Sequence, residues 1–275
     1  MSTMAVAGRA GIASVRSRSR KGVETGGQLV MLAVESVTAA ATDIVRRRFS
    51  WSEFTLQAWF MTRVSLLPTI LVAIPFGVII SVQIGAVASQ VGATSFMGAV
   101  NGIGILRQAA PLVTSLMIAG AVGSAICADL GARTVREEID ALEVMGISPV
   151  QRLVAPRVLA ALVVALLLTV VVSMTAMITA YVLNVGGGKV SAGAYQDSFV
   201  AFSQPTDFAL AEFKALVFGF IATVVAAHKG LHATGGPKGV ADAVNQSVVL
   251  SVILLAMVNV AITQAYVMLV PQGVA

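Results

Sequence analysis

Charge is scarce in this sequence. Only 11% of its 275 residues are Asp, Glu, Lys or Arg, whereas soluble domains carry about 25%. A single soluble domain of this length exposes too much surface to be covered by so few charges. Cysteine is nearly missing too, and the lone Cys127 excludes an intramolecular disulfide or a cage of cysteine ligands. No G-x-x-x-x-G-K-[ST] phosphate loop is present. In Gly235-Gly236-Pro237-Lys238-Gly239 the order is wrong and no Ser or Thr follows the lysine, so the stretch reads as a turn. His228 and His232 lack the intervening Glu of a zinc-binding pair and have Gly230 between them, so no metal site is expected. No internal repeat is evident. These absences exclude a cytosolic globular enzyme, a disordered chain and a fibrous one. They leave an integral membrane protein, in keeping with 57% apolar residues and a mean hydropathy of +0.90.

Uncharged runs cover 64–106, 108–128, 158–188, 215–227 and 243–275. A spanning helix needs about 20 apolar residues, roughly 30 Å of rise. The runs predict an all-α membrane protein with five spans, near 64–89, 99–128, 157–183, 208–228 and 246–269. The fourth run reaches sufficient length only when extended back past Lys214 to Phe208.

The charges that are present sort by side. Residues 1–63 carry nine Lys or Arg, the link after span two carries Arg133, Arg136, Arg152 and Arg157, and that after span four carries Lys229 and Lys238. Against these fifteen, the opposite side has Lys189 alone. The positive-inside rule then predicts a cytoplasmic N terminus, an external C terminus and residence in the cytoplasmic membrane. The net charge of +5 reads as topology and attraction to anionic lipid, not nucleic-acid binding.

Residues 1–23 have arginines but no apolar core behind them, which predicts a basic cytoplasmic arm and no cleaved signal. Residues 24–62 read as an interfacial helical region preceding a permease domain over 63–275. Leu29, Leu32, Val37, Ala40 and Ile44 share a helix face, and Ser50-x-x-Glu53 has the form of a capping box. Trp51, Phe54, Trp59 and Phe60 suit the headgroup level; the alternative is that both helices pack on the cytoplasmic side.

The stretch 129–157 is the most informative. Thr134-x-x-Glu137 predicts a helix start, and acids at 137, 138 and 140 suit the positive end of its dipole. Val135, Ile139 and Leu142 form one apolar stripe, and Gly146 and Pro149 end the helix. A short amphipathic helix over 134–145, held between two spans, is built to be touched from the cytoplasm. The plainer reading is a connector with solvated charges.

These residues carry a resemblance. Gly120-x-x-Gly123-Ser124-Ala125, Ala128-Asp129-Leu130-Gly131, Glu138 through Pro149 and Pro156-Arg157 resemble the signature of the MlaE/YrbE permease family. Its members are the membrane subunits of ABC-type lipid transporters that work with MCE proteins. The similarity covers about 50–270, and the basic N-terminal extension and Ala/Val/Gly-rich composition are more similar to an actinobacterial YrbE subunit. The resemblance implies one half of a permease dimer, homo- or heterodimeric. It also implies two cytoplasmic ATPase subunits that use the ATP, MCE proteins outside and membrane lipid as cargo. The chain itself is then no enzyme and holds no cofactor. The helix 134–145 becomes the coupling helix, with Arg136, Glu137, Glu138, Asp140, Leu142 and Glu143 facing the ATPase.

Arg107 and Lys214 stand near the outer ends of spans two and four, where an uncompensated charge is costly. Asp207 and Glu212 are candidate partners for Lys214. The family pattern at Ile105–Pro111 has an acid after the arginine where this chain has Gln108, and Asn259 stands where related chains can have another. Both departures remove negative charge and suggest that a second, non-identical subunit completes the site. Arg107, Gln108, Asp207, Lys214 and Asn259 are accordingly candidate lipid-cavity residues. The competing reading of Arg107 and Lys214 is that they snorkel and fix span depth. Gly77, Ser81 and Gly85, and likewise Gly120 and Ser124, place small residues every fourth position, as a tight helix contact requires. An ion-coupled secondary transporter or channel is the alternative function. It ordinarily shows intramembrane acids or paired broken helices, which are not evident here.

Overall fold

A computed structural model describes residues 25–47 and 49–269, so the basic arm predicted over 1–23 lies outside the described residues. Every regular element described is helical. We number them α1 (Thr25–Val45), α2 (Trp51–Gln90), α3 (Thr94–Val135), α4 (Glu138–Val144), α5 (Val150–Gly186), α6 (Ala192–Phe202), α7 (Pro205–Leu231) and α8 (Gly236–Leu269). Six of these, all but α4 and α6, are long and apolar enough to cross a membrane. Five contain the predicted spans. The sixth is α1, the least hydrophobic of the set, which turns Leu32, Ser36, Ala40 and Asp43 inward.

The second aromatic segment is not a separate helix. It runs into span one as a single 40-residue α2, about 60 Å long, with Trp51 and Trp59 exposed on its early turns. The Ser50–Glu53 capping box does not form: Ser50 makes no side-chain cap, and Glu53 accepts a hydrogen bond from Gln57 instead. The second predicted box is also absent. The Thr134 hydroxyl donates back to the Leu130 carbonyl and across to that of Gly230, so α3 continues to Val135. The short helix expected over 134–145 starts only at Glu138, after Glu137 at φ 58°.

Two tracts of α3, Ile105–Ala109 and Ile118–Val122, and the first turn of α5, Val150–Val154, are π-helical. Two of these precede a proline. Pro111 and Pro156 have no N–H for the carbonyl four residues earlier, and the widened turn absorbs the break.

Small residues fix how closely the spans approach. A Cβ on Gly77 would lie 2.8 Å from the Ala176 carbonyl oxygen, so α2 runs hard against α5. Ser81 in the same seam accepts from Asn184 at 2.7 Å, whereas Gly85 has only ordinary contacts. The stripe predicted on α3 is displaced. A Cβ on Gly120 meets nothing within 4 Å, and Ser124 is only half-buried, bonding within its own helix. The tight approaches come instead at Gly219 against Ala165 and Gly230 against Cys127 and Leu130. The core they enclose is rich in alanine, with Ala119, Ala161, Ala165, Ala222 and Ala226 buried among Ile126, Leu168 and Phe218. Van der Waals contact between close backbones is the main attraction available where lipid is as apolar as leucine.

The link between α5 and α7 holds a helix the sequence reading left out. Ser191 caps α6 by accepting from the Ala194 N–H, and α6 lies across the start of α3. Gly98 and Gly102 allow this: a Cβ on the first would collide with the Tyr195 carbonyl oxygen, and on the second would lie 2.6 Å from the Phe199 ring. The bundle therefore has an end marked by α4 and a far end marked by α6.

Candidate functional site

The charges inside the spans meet one another. Arg107 lies in the first π tract of α3, and its Nε donates to Asp207 Oδ1 at 2.6 Å. Asp207 is fully buried and opens α7, where its carboxylate also accepts from the Gln204 N–H to close a capping box. Tyr266 of α8 completes the cluster, its hydroxyl 3.4 Å from Asp207 Oδ1 and its ring 5.7 Å from the Arg107 guanidinium carbon.

Lys214 comes two turns after Asp207 and is fully buried. Its ammonium donates to the main-chain carbonyl of Arg107 at 3.0 Å and to Thr263 at 2.8 Å. Thr263 in turn donates to the Asn259 carbonyl at 2.6 Å. Asp207 therefore pairs with Arg107 and not with Lys214. Glu212 pairs with neither: both its carboxylate oxygens are buried without a partner among the described residues. Neighbouring faces of α3, α7 and α8 thus bring Arg107, Asp207, Lys214 and Asn259 into one polar chain within an apolar bundle. Gln108 is not part of it, because the π turn carries its side chain to the exposed surface. The Asn259 side-chain oxygen is buried and has no partner among the described residues. Thr263 and Tyr266 escaped sequence reading; their spacing after Asn259, at i+4 and i+7 on one helix face, was the available signal.

Toward the far end, a cavity of about 390 Å³ opens between α3, α5 and α6, walled by Ile105, Met177, Tyr181, Tyr195, Phe199 and Val200. Its lining is almost wholly apolar. The Tyr195 hydroxyl is pushed above its ordinary pKa, because burial disfavours the phenolate.

At the opposite end α4 divides its residues between core and surface. Ile139 is buried and Leu142, expected to face the ATPase, packs against the core, so this apolar stripe is used by the fold itself, and Val135 belongs to α3. The surface offered to solvent is Asp140, Glu143, Val144 and Met145, with Val144 at 88% exposure. Glu137 is exposed on the bend. Arg136 and Glu138 pair with each other at 2.8 Å, which ties them into the chain. Arg157, counted among the flanking positive charges, is instead fully buried and donates to Asp129 at 2.6 Å. The His228 and His232 rings lie tilted against each other with centroids 4.5 Å apart and line a cavity of about 480 Å³ between α1, α4 and α7.

Residues 54–265 match the family model described as Permease MlaE. A probable ABC transporter permease of Synechocystis sp. is 32% identical over 183 residues, 66% of this chain and 70% of the relative. One from Rickettsia bellii is 29% identical over 228 residues, 83% of this chain and 88% of the relative. The chloroplast protein TRIGALACTOSYLDIACYLGLYCEROL 1 of Arabidopsis thaliana is 30% identical over 211 residues, 76% of this chain and 60% of its own length.

Proposed function

The chain belongs to the MlaE permease family, and from that premise we propose that it is the membrane subunit of an ABC-type lipid transporter. It moves lipid, of the phospholipid, fatty acid or sterol class, across or out of the cytoplasmic membrane. ATP is hydrolysed in a separate subunit. The ABC transporter permease names of the Synechocystis and Rickettsia relatives support this division of labour. Lipid cargo is supported by the Arabidopsis relative, whose name contains a galactolipid.

The observation that carries the reading is the polar chain Arg107–Asp207, Lys214–Thr263 set inside apolar spans. Lys214, held by a carbonyl and a hydroxyl, has no ion-pair partner among the described residues, and an ionisable group placed so among spans marks a substrate path. Its partners on the assembly side are a second YrbE-type permease subunit, an ATPase dimer docked on α4 and MCE proteins at the far end. With α4 facing the cytoplasm, the positive-inside bias of the sequence is satisfied.

Extraction in mild detergent tests the assignment. The chain is expected to bring down an ATPase subunit together with bound lipid identifiable by mass spectrometry. Capture of neither would sink it.

A further inference from the structure

Beneath α4 runs a line of alternating charges that leads from the surface into the bundle. Glu138, the first residue of α4, accepts from Arg136 and lies 3.6 Å from Arg133 Nη1. Arg133 Nε stands 3.4 Å from both Asp129 oxygens. Asp129 accepts from Arg157 Nη2 at 2.6 Å, and Arg157 Nη1 donates to the Leu153 carbonyl, also at 2.6 Å. Arg157 side-chain exposure is 0% and that of Asp129 is 36%. The line therefore joins α4 to the opening turns of α5.

Its links are unequal. A desolvated guanidinium does not readily give up its counter-charge, since an unpaired buried ion is strongly destabilising. The Asp129–Arg157 contact is therefore the fixed one. Arg133, half-exposed, stands at nearly equal distances from Asp129 and Glu138 and moves toward either at small cost. The joint between α3 and α4 supplies a second observation. Glu137 there takes φ 58°, a left-handed conformation that a side-chain-bearing residue adopts only when its surroundings hold it. A shift of α4 about this joint moves Glu138, changes the share of Arg133 left to Asp129, and so alters the field at the base of α5. α5 lies along α2 for most of its length, so its first turns are a place from which the spans can be moved.

We propose that Asp129 is the positioning residue that transmits the docking state of α4 to α5, through Arg133 on one side and Arg157 on the other. The proposal rests on α4 being the element that meets the ATPase. The test uses the full chain with its co-purified ATPase in phosphatidylethanolamine–phosphatidylglycerol vesicles, with a fluorescent phosphatidylethanolamine as probe. Asp129→Asn and Arg133→Gln are expected to retain ATPase capture and ATP hydrolysis while the lipid moved per ATP falls about tenfold. Arg133→Lys is expected to restore most of that ratio, which a merely structural defect would not predict. Should Asp129→Asn fail to accumulate, Arg133→Gln decides alone, because it leaves the buried pair intact. An unchanged ratio with capture preserved overturns the role of Asp129 and nothing else. Absence of ATPase capture by the unaltered chain overturns the coupling role of α4 and this proposal with it.

Discussion

The Lys214 ammonium donates to the main-chain carbonyl of Arg107 at 3.0 Å, and the residue that makes that carbonyl available is Pro111, four positions on. In an α-helix the carbonyl of residue 107 would bond to the N–H of residue 111, which proline lacks. A backbone defect in α3 and a cation in α7 are thus complementary. Arg107 supplies two things at this point: its guanidinium to Asp207 and its carbonyl to Lys214.

Lys214 is held by neutral oxygens, and removing an ion from water into such a site costs several kcal/mol. Replacing a buried charge with an apolar side chain of similar volume is often neutral for stability. Lys214→Met is therefore expected to melt in detergent within about 3 °C of the parent. Uptake of a fluorescent phospholipid is expected to fall about tenfold, a loss of about 1.4 kcal/mol. Normal uptake would reduce Lys214 to a structural link between α7, α3 and α8.

The Arg107–Asp207 pair is asymmetric in burial, with side-chain exposures of 25% and 0%. Arg107→Gln strands a fully buried carboxylate. Asp207→Asn leaves an arginine that can reach water, and an Asn side chain still caps α7. Unfolding in detergent is expected to show Arg107→Gln as the costlier change by about 1 kcal/mol, and the double mutant is expected to recover part of the loss. Equal costs would mean that the pair is exposed when the protein is in its membrane.

Much of this was legible in the sequence. Runs without charge located five of the six long apolar helices, and Gly146 and Pro149 marked the end of a short helix whose start the sequence placed four residues early. Arg107 and Lys214 stood out because bases are rare in apolar runs. Partner choice was not legible, since Asp207 is compatible in sequence with either base and only the packing of α7 on α3 selects Arg107. Arg157 looked like a flanking charge because it is the last charge before the uncharged run 158–188, yet the fold turns it inward onto Asp129. Thr134 looked like a cap, but its hydroxyl had a better offer from two carbonyls of its own helix and of α7. The small-residue stripes show the same limit, because spacing marks a face without saying what covers it.

Those stripes differ in a measurable way. Gly77→Ala would place a methyl 2.8 Å from the Ala176 carbonyl oxygen, against backbone that cannot swing aside. It is expected to destabilise by about 1–3 kcal/mol. Gly120→Ala meets open space and is expected to be neutral or stabilising by up to about 1 kcal/mol, through loss of glycine's conformational freedom in the unfolded chain. Thermal denaturation of the two variants in one detergent compares them directly, and equal behaviour would refute the α2–α5 seam.

If the proposed ATPase docks on α4, folding and docking fall to different residues of that helix. Ile139 is 7% exposed within the core, whereas Val144, five residues on, is 88% exposed. An apolar side chain left in water on a short acidic helix adds nothing to the isolated fold, and the proposed docking gives it a role as a contact for the ATPase. Val144→Asp is accordingly expected to leave abundance and melting unchanged while cutting ATPase capture about tenfold, the effect of a central contact worth more than 1 kcal/mol. Ile139→Asp buries a carboxylate and is expected to lower both together. Charge reversal discriminates in the same manner. Glu143 is exposed and has no ion-pair partner among the described residues, so Glu143→Lys reports on docking alone. Glu138→Lys faces Arg133 and Arg136 and is expected to disturb the joint of α4 as well. Quantifying the captured ATPase against the permease for all four variants checks the order. Full capture by Val144→Asp and Glu143→Lys would move the docking surface away from α4.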